Sequence, residues 1–457
     1  MRVATPGLWS WMKSIGYANR EHRTKDVIAY RRHMLDLSLT LRQLHYVLVL
    51  PYPHIITTRK ASYKVIHLTA ISVAQIPSPW RPAPPGHQPQ PQPSQPPTMI
   101  PKLPKPQLPI PRRRRGSFTA LLTSAVLGTM ALFYLLLQLA PCIGRDHCYN
   151  GYQSSFSFDA DAARHPSWMA ELPDSVPLSS LSIPGTHDTM TYAVVSERLQ
   201  CQNWNLSVQL DAGIRYLDIR ARLRDDALWI YHADGWVGFG FEHVLLTVYD
   251  FLESHPTEAV VMRVKEEGKP IGRNNTMSFE DAFNYHRLNA STTAPGSAKH
   301  MYMYDPSTAA PLPLLGALRS RILLLQNFAS AGGTPYGVSW NGEQMHLEDV
   351  WIIPDVYHLS DKWSAIRNSL ERAATDPLDN RRLYLAHLSA SVGVLPIEAA
   401  AGPMNRSIQG MNDMTGQWLR DFEDNDDATR TGIVIMDFPG ERLIDAVLAW
   451  NAPLKKQ

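Results

Sequence analysis

Hydrophobic and polar positions fall into three regimes along the chain. From Phe118 to Ala140, 23 consecutive residues (FTALLTSAVLGTMALFYLLLQLA) carry no charge. At a rise of ~1.5 Å per residue such a helix spans a hydrocarbon core of ~30 Å, so the run predicts one transmembrane helix over 117–141. Ahead of it no sustained period exists: basic, helical-looking residues run from Arg31 to Gln43, and a short apolar stretch from Tyr46 to Pro51. Beyond residue ~150 the pattern changes to short apolar, β-branched runs. They are Leu181–Pro184, Ile214–Ile219, Leu228–Tyr231, Ala259–Val264, Ile322–Leu325, Val350–Ile353, Leu383–Ala386 and Ile433–Met436. Helical patterns lie between several of them. Val244, Leu245, Val248, Phe251 and Leu252 repeat at 3.6 residues, and so do Leu443, Ile444, Val447 and Leu448 after the Pro439-Gly440 turn. Strands alternating with helices over ~300 residues predict an α/β fold, a distorted TIM-type barrel over 150–457.

Composition divides the chain at the same places. Of 36 prolines, 15 fall between Pro77 and Pro111, a density that forbids helix interiors and central strands. Residues 77–116 therefore read as an extended, Pro-rich linker ending in Arg112–Arg115. PxxP patterns there also admit an SH3-type docking motif. Residues 1–76 read as a basic, poorly ordered N-terminal region, cytosolic by the positive-inside rule, because the arginine run sits directly before the apolar span. A signal peptide fits less well with more than 110 residues ahead of the span. The expected arrangement is a single-pass type II signal anchor with a lumenal or extracellular domain, or a secreted protein if translation starts near Met130.

Residues 1–116 carry 18 Lys+Arg against 3 Asp+Glu, and the remainder 26 against 39. That split excludes a uniformly basic nucleic-acid binder. Three cysteines exclude a disulfide-built scaffold and offer no zinc spacing. In an oxidising compartment one pair among Cys142, Cys148 and Cys201 would form, and the pairing stays open. Four sequons, at Asn205, Asn274, Asn289 and Asn405, suit a glycoprotein.

Ionisable residues gather where the apolar runs end. His187 and Asp188 follow the first run, Asp218 and Arg220 the second, His232 the third, Lys265 and Glu267 the fourth. Asp355 and Tyr357, then His387, then Asp437 follow later ones. Barrel enzymes place their chemistry at the C-terminal ends of strands. Two histidines and an arginine supply a base, an acid and a cation for a phosphoryl centre, the least that phosphodiester cleavage needs without a metal.

The blocks LSIPGTHDTM, DIRAR at Asp218–Arg222, YHADG around His232, MRVKEE, PDVY and IMDFPGERLIDAVLAWN stand in the order of a known family. Residues ~170–450 resemble the X domain of phosphatidylinositol-specific phospholipase C, above all its short, single-domain bacterial type. The resemblance implies that His187 is the general base on the inositol 2-hydroxyl and His232 the general acid on the departing diacylglycerol oxygen. Asp437 would orient the base and Asp188 assist the acid. Arg220 falls where other members hold calcium, which implies calcium-independent catalysis with no cofactor and no metal, the guanidinium clamping phosphate. Lys265, Glu267, Asp355 and Tyr357 match positions that contact the inositol ring. The substrate would be a phospholipid at a membrane surface, cleaved to diacylglycerol and cyclic inositol phosphate. Asn327 stands where the family has an inositol-contacting arginine, so the head group stays open.

Three further residues or groups are read more plainly. Asp218 is taken as a salt-bridge partner of Arg220 or Arg222, and His387 as a core histidine with its partners satisfied. Trp236, Phe239 and Phe241 suit either an aromatic lip at a membrane interface or packing under the barrel rim. Two rivals remain: a catalytically silent lipid- or glycan-binding module on the same barrel, and a metal-dependent glycerophosphodiesterase or sphingomyelinase D-like enzyme. The latter needs a Glu-x-Asp pair where this chain has Asp-Ile-Arg.

Overall fold

β-Branched and aliphatic residues pack well on a pleated surface, and strands covered on both faces read as continuous apolar runs. The computed structural model describes residues 116–139, 142, 146–304, 311–333, 335–422 and 428–455. These belong to one compact unit, Pro109–Gln457. The readings of residues 1–76 and 77–115 lie outside the described residues.

The strands that matter are β1 (Ile183–Thr186), β2 (Tyr216–Arg224), β3 (Ala227–His232), β4 (Gly235–Gly240), β5 (Ala259–Glu266) and β6 (Arg321–Asn327). The series continues with β7 (Val338–Ser339), β8 (Met345–Glu348), β9 (Ile352–Ile353), β10 (Leu383–His387), β11 (Ser391–Val392) and β12 (Ile433–Met436). Eight of them pair in parallel in the order β8-β10-β12-β1-β2-β5-β6-β7. All eight send side chains into one interior cluster: Ile183, Tyr216, Val261, Leu323, Val338, Met345, Leu385 and Ile435 among them. A sheet whose two edges share one core has curled on itself, here into an open barrel with no pairing recorded between β7 and β8.

The outer face carries the alternate residues, Leu217, Ile219, Met262, Val264, Leu324 and Val434. They pack against helices that include α3 (Phe241–Ser254), whose Phe241, Val244, Leu245, Val248 and Leu252 are buried, and α6 (Glu441–Ala449). Met169, Leu172, Leu178 and Leu181 join the interior cluster from the segment before β1. The apolar interior therefore changes to polar only toward the C-terminal strand ends.

Two expected strands differ. Leu228–Tyr231 lies in β3, which pairs antiparallel with β2 across the turn Asp225-Asp226 and stands outside the parallel strand order of the barrel. Both turn residues have left-handed φ, 51° and 60°, which two-residue hairpins require and aspartate tolerates. Val350–Ile353 is no barrel strand: β8 lies just before it, and only Ile352 and Ile353 pair, with β11. Val350, Trp351 and Ile352 are exposed. A short apolar run does not reveal by periodicity alone whether it will be buried.

Helix α1 (Gly116–Leu139) forms where the membrane span is expected, with Leu121, Leu127, Met130 and Phe133 exposed. Its described side chains run from residue 120 to 136. Among the described residues no helix is long and apolar enough to cross a membrane. Cys142 and Cys148 form a disulfide and Cys201 is free and buried, which closes the open pairing. Asn205, a sequon residue, caps the helix α2 (Leu206–Ala212) through the Val208 N–H.

Candidate active site

Strand alternation puts residues two apart on the same face. On β2 and β5 the interior face runs Tyr216, Asp218, Arg220 and Val261, Arg263, Lys265. The register aligns Asp218 with Arg263, and Arg220 with Lys265 and with Asn327 of β6. His387 is the last interior position of β10, and His187 and Asp437 continue the interior faces of β1 and β12.

Three of these strand ends break into left-handed backbone at a non-glycine residue: Asp188 (φ 40°) after β1, Ala233 (φ 51°) after β3 and Phe438 (φ 45°) after Asp437. Such conformations cost about 1–3 kcal/mol and persist only where surroundings enforce them. At Asp188 the reversal brings its side chain to the same side as His187. Gln202, which sequence reasoning passed over, ties the strand ends together by donating to the carbonyls of His187 and Met436 at 2.8 and 2.9 Å.

The residues converge on Asp188. Its Oδ2 lies 3.2 Å from His187 Nε2, 3.3 Å from His232 Nε2 and 3.0 Å from an Arg220 guanidinium nitrogen. Arg220 also donates to Asp218 Oδ2 through Nε (3.0 Å) and Nη2 (2.8 Å). His187 Nδ1 pairs with Asp437 Oδ1 at 2.9 Å. His232 Nδ1 lies 2.9 Å from the Leu199 carbonyl, which only accepts, so Nδ1 carries a proton and Nε2 faces the cluster. All five candidate catalytic residues thus share one cluster, with the two histidine rings edge-on at 6.2 Å between centroids.

Burial governs the charges. It pushes His187 well below the usual imidazole range, with the Arg220 charge adding to the shift, so the ring is neutral. Burial raises Asp437 strongly, and Asp188 adds to it. Burial also raises Asp188, against the pull of Arg220 and His232. For Asp218 burial acts upward too, but Arg220 and Arg263 overcome it and hold the carboxylate well below its usual range. Two buried carboxylates hold Arg220 firmly protonated despite its burial. The free thiol of Cys201, 3.9 Å from His232 Nδ1, is pushed well up by burial.

Lys265 and Glu267 pair with each other at 2.7 Å, and Glu267 Oε1 accepts the Ala233 N–H at 3.2 Å, which ties them to the loop after His232. Asp355 and Tyr357 stay outside the cluster. Asp355 Oδ1 caps a short turn through the Tyr357 N–H and pairs with His358, and Tyr357 is 78 % exposed. Asp218 is more than a partner of Arg220: it also faces Arg263 Nη1 at 3.3 Å. Arg263, missed in the sequence, donates to Asn327 Oδ1 at 2.7 and 3.1 Å and lies 3.7 Å over the Trp340 ring. The position with asparagine in place of arginine therefore has a guanidinium beside it, from the neighbouring strand. Period-two alternation in MRVKEE was the signal that could have exposed Arg263.

Among the described residues three donor groups could hold a cation: His187–Asp188–Asp218, His187–Cys201–Asp437 and Asp188–Cys201–His232. In the first, both carboxylates are the ones Arg220 already touches, so an ion there would compete with a fixed guanidinium.

The family model for the phosphatidylinositol-specific phospholipase C X domain matches residues 175–327. The chain is 29 % identical to the 1-phosphatidylinositol phosphodiesterase of Listeria monocytogenes over 333 residues, 70 % of this chain and 94 % of that protein. Residues 175–327 thus carry a phosphatidylinositol-specific phospholipase C X domain. A Staphylococcus aureus 1-phosphatidylinositol phosphodiesterase is 23 % identical over 63 % of this chain and 93 % of its own. The solved Listeria monocytogenes phosphatidylinositol-specific phospholipase C superposes with a TM-score of 0.52 at 27 % identity, covering 63 % of this chain and 99 % of that one. The X-domain match ends at Asn327, so β7 to β12, with His387 and Asp437, rest on the full-length relatives and the geometry.

Proposed function

We propose that this chain cleaves a phosphatidylinositol-type phosphodiester without a metal, by acid–base chemistry between two histidines. The observation that carries the reading is the convergence of His187 Nε2, His232 Nε2 and Arg220 on Asp188 Oδ2, all within 3.3 Å. Neutral His187, oriented through Nδ1 by Asp437, removes the proton of the inositol 2-hydroxyl at Nε2. That oxygen bonds to phosphorus as the phosphorus–diacylglycerol oxygen bond breaks. His232, held by Asp188 and the Leu199 carbonyl, gives an Nε2 proton to the departing oxygen. Arg220 donates to the phosphoryl oxygens as their charge grows. Diacylglycerol and a cyclic inositol phosphate result. The Listeria and Staphylococcus relatives are named 1-phosphatidylinositol phosphodiesterases, which agrees with this reading.

The lipid would be met at a membrane. Exposed Val350, Trp351, Ile352 and Val392 lie beyond the C-terminal ends of β8 and β10, on the same side as the site, and Trp236 is exposed near His232. Phe241 is fully buried and Phe239 packs on the core, so the aromatic lip reduces to Trp236 on that hairpin. The uncharged run Phe118–Ala140 is proposed from its sequence as the anchor, with the barrel lumenal or extracellular. The Cys142–Cys148 disulfide suits an oxidising compartment.

The test uses the full-length protein on phosphatidylinositol vesicles in EDTA, beside His187→Ala and His232→Ala. Diacylglycerol and cyclic inositol phosphate from the wild type alone support the reading. Turnover that appears only with added calcium or magnesium overturns the metal-free mechanism.

A further inference from the structure

His387 was expected to be a core histidine with satisfied partners, and only half of that holds. It is 1 % exposed at the last interior position of β10, its ring 6.2 Å from that of His187 and 6.0 Å from Trp340. Its Nδ1 lies 2.9 Å from the Glu348 carbonyl oxygen. A carbonyl accepts only, so Nδ1 carries the proton and Nε2 the lone pair. That carbonyl is well fixed, because the Glu348 carboxylate is ion-paired with buried Lys362 at 2.9 and 3.1 Å. Nε2 is buried and has no hydrogen-bond partner among the described residues.

The groups around the ring keep it an acceptor. Burial lowers its pKa to about 4. Arg263 works in the same direction, while Asp349, Asp218 and the Glu348 carbonyl oppose it. A buried acceptor without a donor is destabilising, and that penalty is removed when a ligand donates to it. The cation beside it is not free for a ligand anion: Arg263 is engaged by Asp218, Asn327 and the Trp340 face.

We propose that His387 Nε2 is a hydroxyl-accepting position of the substrate site, receiving a hydrogen bond from a ring hydroxyl of a polyol head group packed beside Trp340. The assignment rests on the function proposed above and names a contact that reading does not include. Near Asn327, where the expected arginine is missing, an imidazole lone pair then takes part in recognising the head group. His387 bonds to no reacting atom, so its effect belongs to binding.

The test compares the full-length protein with His387→Phe, which keeps an aromatic ring but no acceptor, and His387→Gln, which restores a side-chain carbonyl. KM and kcat are measured on phosphatidylinositol vesicles, and the Kd of free myo-inositol by calorimetry. His387→Phe should raise KM and the myo-inositol Kd about tenfold with kcat changed less than about threefold, and His387→Gln should recover most of the loss. Should the Phe variant fail to fold, the side-chain nitrogen resonance of wild-type His387 decides: Nε2 shifts on adding myo-inositol, and a fixed resonance overturns the proposal. An active wild type with unchanged KM and Kd in His387→Phe overturns this assignment alone. A wild type inert to phosphatidylinositol and to myo-inositol overturns the function reading and this contact with it.

Discussion

Arg220→Lys separates the shape of the cation from its charge. The guanidinium makes three contacts under 3.1 Å: two to Asp218 and one to Asp188. A lysine ammonium on the same backbone is a point donor and cannot span both carboxylates while also presenting a fork to phosphate. Losing two hydrogen bonds to charged groups, at about 1.5–3 kcal/mol each, and recovering part of that through one new contact, leaves a destabilisation of about 2–4 kcal/mol. For a domain of about 300 residues that lowers the melting midpoint by roughly 3–6 °C. The catalytic effect is separate. A preorganised donor removed from a developing anion costs about 10²–10³ in kcat. The assay is diacylglycerol release from mixed micelles in EDTA, with a thermal melt of the same preparation. A variant within about threefold of wild-type kcat would show that the fork plays no part in the chemistry. A normal melt would show that the two aspartates do not depend on it.

Three further outcomes follow from the same geometry. Asp437→Asn should keep the fold but lower kcat by about 10³ or more, because the amide supports the wrong His187 tautomer; kcat within tenfold of wild type refutes the orienting role. His387 is buried neutral, its pKa lowered from 6.5 to about 4. Its contribution to stability is complete above pH 6.5 and lost as pH falls toward 4, up to about 3 kcal/mol. The melting midpoint should drop over that window, less steeply in His387→Phe. Arg215→Met should cost about 3–5 kcal/mol in chemical denaturation, because Glu258, itself 0 % exposed, loses the partner that meets it at 2.9 Å. Adding Glu258→Leu should recover much of the loss, and no recovery would locate Arg215's contribution in its bonds to the Leu210, Ile214 and Pro166 carbonyls.

How far the site was legible depended on whether a residue's role was local. His187 and Asp188 stand in one short block, and Asp218 and Arg220 in another, so their strand ends could be read directly. Arg263 was hidden because its meaning lies in a neighbour: its register partner on β6 is Leu325, and only its long side chain reaches Asn327 two positions on. Asp355 and Tyr357 looked equivalent to the other candidates, yet the run before them stays on the surface and they remain outside the cluster. The left-handed turns at Asp188, Ala233 and Phe438 carried no glycine to announce them.

Alternation of apolar strands with helices, and ionisable residues at the strand ends, were enough to determine an α/β barrel with its chemistry at one rim. These are properties of single segments, because periodicity and burial on both faces are local demands on side chains. Which eight strands build the open barrel, which cysteines pair, and which carboxylate answers which cation depend on segments far apart in the chain. Asp437 and His187 meet across 250 positions. His387 shows the division most clearly. Its burial could be inferred from the run before it. That one ring nitrogen is satisfied by Glu348 and the other left without a partner among the described residues was decided by packing, since a hydrogen bond depends on distance and direction in space.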